Sequence, residues 1–155
     1  VRLLNLNEDI SMFTRSLLAL ALSASALGAQ AAPTPGDDTL YSQLGAQPGL
    51  VRLMDDFMQR LLADERMRPF FKDVDHAHVK AQLVTQFCQV TGGPCKHDGP
   101  DMKKAHDGFD IDRSAFNALV EVLQQAMDAQ GIAFGAQNRL LAQLAPMHRE
   151  IINVK

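Results

Sequence analysis

The sequence lacks the short motifs that mark many enzyme classes. It has no glycine-rich phosphate loop, no Gly-x-Ser-x-Gly and no His-Glu-x-x-His, so nucleotide, serine-hydrolase and zinc-peptidase chemistry have no local signature. Its basic residues form no run longer than Lys103-Lys104, and the net charge is −3, which argues against a nucleic-acid-binding face. No segment has the period-two alternation of a strand, and no internal repeat is visible.

The N-terminal stretch differs in composition from the rest of the chain. Arg15 precedes an apolar run over residues 17–22, which continues in small residues to Gly28. Ala29-Gln30-Ala31 then has the small-x-small pattern of a secretory cleavage site. The pattern predicts a signal peptide cleaved after Ala31, and its alternative is an apolar anchor left uncleaved.

With a signal peptide at its N-terminus, the chain is expected to consist of three parts. We expect an N-terminal extension and secretory signal peptide over 1–31, a polar leader over 32–38, and one folded domain over 39–155. Met12 is a more natural start than Val1, because it places Arg15 in a short n-region. The expected location of the mature protein is periplasmic or secreted.

The two cysteines are interpreted in the light of this expected export. Cys88 and Cys95 lie on either side of Gly92-Gly93-Pro94. In an oxidising compartment, a close pair favours a disulfide, here one that joins a helix end to the turn after it. Its loop is short, so the gain is about 2–3 kcal/mol at best. The alternative is a pair of buried free thiols.

Apolar residues recur at three- and four-residue spacing along the folded part, which is typical of amphipathic helices. Met67-Arg68-Pro69-Phe70-Phe71 marks a corner, and Pro146 is expected to kink or locally open the last helix. We therefore predict an all-α domain of packed helix pairs. The expected helices are a short one capped by Asp38 and ending at Leu44, Gly49–Ala63, Val74–Val90, one or two turns around Met102–His106, Arg113–Ala129, and Gly135–Val154.

Histidines are the residues most able to carry chemistry here. His76 and His78 follow acidic residues at a helix start and are expected to be exposed, as is His148, whereas His97 has no clear environment. His106 lies on the short helix near apolar residues. A lone histidine of this kind is more often a core residue than a ligand, although neutral imidazole binds several metals.

Several short stretches are specific when their order and spacing are taken together. With them, the chain from Leu40 to Val154 resembles the group 1 truncated haemoglobins. The stretches are Leu40-Tyr41-Ser42-Gln43-Leu44-Gly45, Asp55-Asp56-Phe57, Leu62-Ala63-Asp64, Phe70-Phe71, Gly92-Gly93-Pro94, Met102-Lys103-Lys104-Ala105-His106-Asp107-Gly108 with Ile111, and Leu144-Ala145-Pro146.

The resemblance implies a truncated-globin fold, a two-over-two helical sandwich holding a b-type haem, with His106 as the proximal iron ligand. It implies that Phe71 packs on the haem face with Phe70 beside it, and that Met102 and Ile111 line the proximal side. No Cys-x-x-Cys-His occurs, so covalent c-type attachment is not indicated. The remaining cofactor contacts implied are Phe57, Met58, Val79, Gln82 and Leu83.

The chain departs from the family pattern mainly on the distal side of the haem. Met58 stands where members usually carry a tyrosine that donates to bound oxygen, and Leu83 stands where a glutamine is frequent. Gln82 or Gln86 is then the best remaining donor. Loss of the tyrosine forfeits about 1–2 kcal/mol, or about tenfold in oxygen retention. Near the N-terminal end, Gly45 is followed by Ala46, so the family's first glycine pair is half present.

The function implied is reversible binding of oxygen or nitric oxide by haem iron. Nitric-oxide dioxygenation is a possible enzymatic role and needs an external electron donor. We expect a monomer or weak dimer, without nucleic-acid or membrane partners after signal cleavage. His78, His76 or His97 is a candidate sixth ligand. The alternatives are a non-haem helical ligand- or partner-binding module in which His106 is structural, and a zinc or copper site built from the histidines.

Overall fold

The fold is described from a computed structural model of the chain over residues 39–154. The predicted signal peptide over 1–31 and the polar leader over 32–38 lie outside these described residues. No strand forms between residues 39 and 154, as the sequence predicts. Within the same range, every helix is too short or too polar to cross a membrane.

Short polar side chains begin several of the helices. Thr39, Asp75, Asp101 and Asp112 each accept a hydrogen bond from a backbone N–H in the first turn, which satisfies a donor that has no partner within the helix. The helices are α1 (Leu40–Gln43), α2 (Ala46–Ala63), α3 (Arg68–Phe71), α4 (His76–Val90), α5 (Met102–Ala105), α6 (Arg113–Ala129), α7 (Phe134–Leu144) and α8 (His148–Ile151), with a 3₁₀ turn over Ala145–Met147 between the last two.

Helix α2 lies at the centre of the domain and packs against both α4 and α6. Helix α1 contacts α7, and α5 contacts α8. The apolar face predicted for the second helix forms the core, since its side chains are almost fully buried among those of the other long helices. The largest fully buried side chains are Leu50, Leu53, Met54, Leu61, Met67, Val122, Met127 and Leu140, together with Cys88.

Three helix starts differ from the sequence-based expectation. The first helix is capped by Thr39, not Asp38, because the Thr39 hydroxyl accepts from the Ser42 N–H. The second begins at Ala46 instead of Gly49, so that Pro48 falls in its first turn. Proline is tolerated there, because the N–H groups of a first turn have no partner within the helix. The helix predicted over Val74–Val90 is α4, and it begins at His76, because the Asp75 carboxylate caps it there. Helix α6 has the predicted bounds.

The last predicted helix, Gly135–Val154, is wrong as a continuous element. Helix α7 ends at Leu144, the chain tightens into the 3₁₀ turn containing Pro146, and one further α-helical turn ends at Ile151. Proline has no N–H and clashes with the preceding helical turn, so it interrupts the helix at the position where a kink or a local opening was expected. Residues 152–154 continue without helical structure.

A disulfide joins the end of α4 to the loop that follows it. The Cys88 and Cys95 sulfurs are 2.01 Å apart, in agreement with the expected pairing. The turn between them is tight, because a Cβ on Gly93 would lie 2.6 Å from the Cys88 Sγ. The Tyr41 N–H donates to the Thr91 carbonyl at 3.1 Å. These contacts fix the start of the loop that leads to α5.

Arg66 links the turn between α2 and α3 to helix α6. Its guanidinium donates to Asp64 at 2.8 Å and to Glu121 at 2.7 Å. The hydrogen bond from Arg66 lowers the pKa of the Asp64 carboxyl to about 2, because it stabilises the charged form. The predicted corner at Phe70 and Phe71 therefore follows an anchored turn, and it is itself the short helix α3.

Candidate functional site

His106 ends the short helix α5 and is half-buried. Its Nδ1 lies 2.7 Å from the Met102 carbonyl oxygen. A carbonyl only accepts, so in this bond Nδ1 carries the proton and donates. The Nε2 atom of the neutral ring is then the nitrogen with a free lone pair, which is the form of imidazole that binds a metal.

The loop after His106 is held by the C-terminal residues 153 and 154. The Asn153 side-chain Nδ2 donates to the His106 carbonyl at 3.0 Å. The backbone N–H groups of Asn153 and Val154 both donate to the Ile111 carbonyl, at 3.0 and 3.3 Å. Asn153 was not among the predicted site residues, because it lies 47 positions from His106 in the sequence and no local pattern marks the contact.

Gln86 joins three elements on the side of the domain that carries α5. It is 9% exposed, and its Nε2 lies 3.5 Å from the Met102 Sδ and 3.4 Å from the Met147 Sδ. Sulfur is a weak acceptor, so this amide is poorly satisfied by its neighbours. The predicted proximal residue Met102 therefore contacts α4 directly, and the candidate donor Gln86 is directed at the methionines.

The predicted distal residues lie on α2 and α4, which pack together. Phe57 and Met58 are buried, at 2% and 4% exposure. Val79, Gln82 and Leu83 are half-buried on α4. Apart from the Gln82 amide, these side chains are apolar, so the surface offers few hydrogen-bond donors, as the sequence indicates.

The two phenylalanines of α3 are half-buried and pack against the core. The backbone carbonyl of Phe71 lies 2.7 Å from the His76 Nε2. This contact corrects the expectation that His76 is exposed, because its ring turns back to satisfy the carbonyl and becomes half-buried. His78 is exposed, as predicted.

A second polar cluster lies where the loop before α5 crosses α4. The Gln82 Oε1 and the His97 Nδ1 are buried and have no hydrogen-bond partner among residues 39–154. Both side chains crowd Gly99, since a Cβ there would lie 2.6 Å from the Gln82 Oε1 and 2.8 Å from the His97 Cε1. The backbone N–H of His97 donates to the Gln89 Oε1. Two unsatisfied buried polar atoms indicate a place for a further polar group or a water molecule.

Gln82, Gln86 and Gln89 form a glutamine row on α4. Their spacing of four and three residues places them on one helix face. Each of them contacts the segment that leads to His106. Gln82 lies against Gly99, Gln86 contacts Met102, and Gln89 contacts His97. Gln82 and Gln86 were predicted donors, whereas the row as a whole was not predicted, although its spacing is visible in the sequence.

A zinc or copper site built from the histidines finds no support in the described part of the chain. Over residues 39–154 no three His, Cys, Asp or Glu side chains converge to hold an ion. His148 is half-buried, which corrects the expectation that it is exposed. Its ring contacts Phe116, with ring centroids 6.3 Å apart, and its Nδ1 lies 2.7 Å from the Ala145 carbonyl.

Comparison with known proteins decides between the remaining interpretations. The model of a family described as bacterial-like globin matches residues 39–153. The chain belongs to the bacterial-like globin family. This globin is 30% identical over 125 residues to the group 1 truncated hemoglobin GlbN of Synechocystis sp., covering 74% of this chain and 98% of that protein. It is 29% identical over 115 residues to GlbN of Nostoc sp., with the same coverage.

Solved structures agree with the helical architecture of this globin. The truncated hemoglobin of Tetrahymena pyriformis in its Fe(III) form has a TM-score of 0.70 at 27% identity, covering 76% of this chain and 99% of that one. The 2/2 hemoglobin of Synechococcus sp. has a TM-score of 0.70 at 21% identity, covering 74% and 98%. The predicted all-α, two-over-two truncated-globin fold is therefore confirmed.

Membership of this family makes the globin a haem-binding protein that binds a diatomic gas through the iron, and it disfavours the non-haem alternative. The residues present fit that group. His106 offers a free Nε2 lone pair, while the half-buried side chains of Phe70, Phe71, Leu83 and Met102 supply apolar surface. In globins the haem iron is held by a proximal histidine, and the largely apolar macrocycle packs against apolar surface.

Proposed function

We propose that this globin binds haem b non-covalently through His106 and reversibly binds oxygen or nitric oxide. The observation that carries the proposal is the hydrogen bond from the His106 Nδ1 to the Met102 carbonyl at 2.7 Å, because it leaves Nε2 for iron. The absence of Cys-x-x-Cys-His in the sequence supports non-covalent attachment. When bound, haem supplies the iron that takes the gas.

The chain's own residues orient and shield this site. The Met102 carbonyl fixes the tautomer and rotation of the His106 ring. Phe70, Phe71 and Leu83 provide apolar surface that excludes water. Gln82 is the remaining donor on this side, since its side chain is half-buried on α4 and its amide nitrogen can donate to a polar ligand.

A mostly apolar distal side predicts weak retention of oxygen. Bound oxygen carries partial negative charge, which a donor in a low-dielectric pocket stabilises. Met58 and Val79 have no hydrogen to donate. We therefore propose faster oxygen loss than in globins that carry a distal tyrosine. Nitric-oxide detoxification requires an electron donor, and we propose that this donor is a separate exported protein. We propose that the globin itself is a monomer or weak dimer.

We also propose that the protein is exported to the periplasm or beyond the cell. The Arg15 and apolar-run pattern supports a signal peptide. The Cys88–Cys95 disulfide supports an oxidising compartment, since cytosolic thiols are normally kept reduced.

Absorption spectroscopy of His106→Gly tests the proposed iron ligand. The wild-type chain is expected to show a sharp Soret band, and the variant to lose it or shift it strongly. Added imidazole is expected to restore the band, because it replaces the missing ligand without restoring any other contact.

His148→Ala is the matched control, because the His148 Nδ1 makes the same kind of contact, 2.7 Å from the Ala145 carbonyl. Its spectrum is expected to match the wild type. A wild-type chain without a Soret band after haem addition, or a His106→Gly spectrum unchanged from wild type, would contradict the proposal.

A further inference from the structure

The segment that carries His106 has little structure of its own. Helix α5 has only four residues, and His106 lies at its end with φ of −113°. In the loop that follows, Asp107, Gly108, Phe109 and Asp110 are all exposed. Gly108 and Asp110 have φ of 79° and 51°. Helices this short are not stable by themselves, so contacts from elsewhere must hold the segment.

Residues 153 and 154 supply such contacts at both ends of this loop. The Asn153 side chain donates to the His106 carbonyl at 3.0 Å, at the start of the loop. The backbone N–H groups of Asn153 and Val154 donate to the Ile111 carbonyl, at its end. We call residues 153–154 the C-terminal clasp.

We infer that Asn153 is a positioning residue, which holds the His106 backbone and thereby sets the direction of the imidazole toward iron. The inference rests on the proposed role of His106. The ring itself is tied to Met102 through Nδ1, while the carbonyl of the same residue is tied to Asn153. The Met102 bond restricts rotation of the ring, and the Asn153 bond restricts movement of the backbone that carries it. Groups that orient a metal ligand in this way tune its affinity.

The two kinds of contact in the clasp can be separated by mutation. Replacing the Asn153 side chain removes only the bond to His106, because the bonds to Ile111 come from backbone N–H groups. The C-terminal clasp is therefore expected to stay attached in such a variant. Asn153→Asp is the most informative change, since it keeps the shape but replaces the donating amide by an acceptor that faces the His106 carbonyl.

The test compares the full chain with Asn153→Ala and Asn153→Asp. Ferrous protein is examined by resonance Raman for the iron–histidine stretching band, and haem loss is timed by transfer to excess apomyoglobin. We expect a shifted or broadened band in both variants and haem loss about tenfold faster, with the aspartate the more affected. Urea unfolding of the apoprotein is expected to change little, because one exposed hydrogen bond contributes little net free energy to folding.

Asn138→Ala is the matched control, an exposed asparagine on α7 that is expected to leave band and haem loss unchanged. Variants at Asn153 that match this control in both measurements overturn the inference. A fall in the urea midpoint of the apoprotein in both Asn153 variants, with an unmoved Raman band, also overturns it, because the contact is then purely structural. Failure of the His106 ligand itself is recognised separately, by the His106→Gly spectrum.

Discussion

Met58 is the residue whose identity most affects the expected gas chemistry. It is buried on α2 directly after Phe57. The group 1 truncated haemoglobins that the sequence resembles usually carry a tyrosine at this position, which donates a hydrogen bond to bound oxygen. Its thioether has no hydrogen to give. The proposed weak retention of oxygen therefore depends on this side chain more than on the fold around it.

Met58→Tyr is expected to slow oxygen dissociation about tenfold, since a new donor to the bound gas contributes about 1–2 kcal/mol. Stopped-flow displacement of oxygen by carbon monoxide measures this rate. Met58→Phe is the control, because it adds a similar ring without the hydroxyl. Equal rates in the tyrosine and phenylalanine variants would show that position 58 does not reach the bound gas.

Among the helices, sequence patterns predicted the interiors better than the ends. Helix α6 has its predicted bounds because Asp112 caps it and Gly131 follows it, both local signals. The last helix was wrong because a proline can kink a helix or end it, and the choice depends on tertiary contacts. Here residues 153 and 154 turn toward His106 and Ile111, a pairing that helical periodicity does not encode.

The start of α2 contains a local conflict between residue type and conformation. Ala46 has φ of 51°, in the left-handed region, next to Gly45 with φ of 81°. A side chain in this region costs roughly 1–2 kcal/mol relative to glycine. The second glycine of the family pair is missing where the backbone most favours one.

Ala46→Gly is therefore expected to raise the free energy of unfolding by about 1 kcal/mol, although it places glycine at a helix end. Urea unfolding of the full chain followed by circular dichroism measures the change. Ala142→Gly provides the contrast, as an exposed alanine inside α7, and is expected to lower stability by about 1 kcal/mol. Destabilisation of similar size in both variants would refute the strain at Ala46.

Considered as a whole molecule, the fold and the proximal side were more accessible from sequence than the contacts between distant segments. The predicted hydrophobic face of α2 is the core, and His106 lies on the short helix expected for it. The clasp at Asn153 and the crowding of Gln82 and His97 around Gly99 were not foreseen. These contacts join residues that only the folded chain brings together.

Export is a property of the whole chain and makes a prediction at that scale. When expressed with residues 1–38 in a bacterium with a periplasm, the protein is expected in the periplasmic fraction, beginning at Ala32. Intact mass spectrometry checks both the start and the disulfide, since Cys88–Cys95 pairing removes the mass of two hydrogen atoms.

A matched chain with Arg15→Glu and Leu20→Arg is expected to stay in the cytoplasm at full length, because it lacks the positive n-region and the continuous apolar run that secretion requires. Recovery of the unaltered protein only in the cytoplasm, uncleaved and with free thiols, would contradict export.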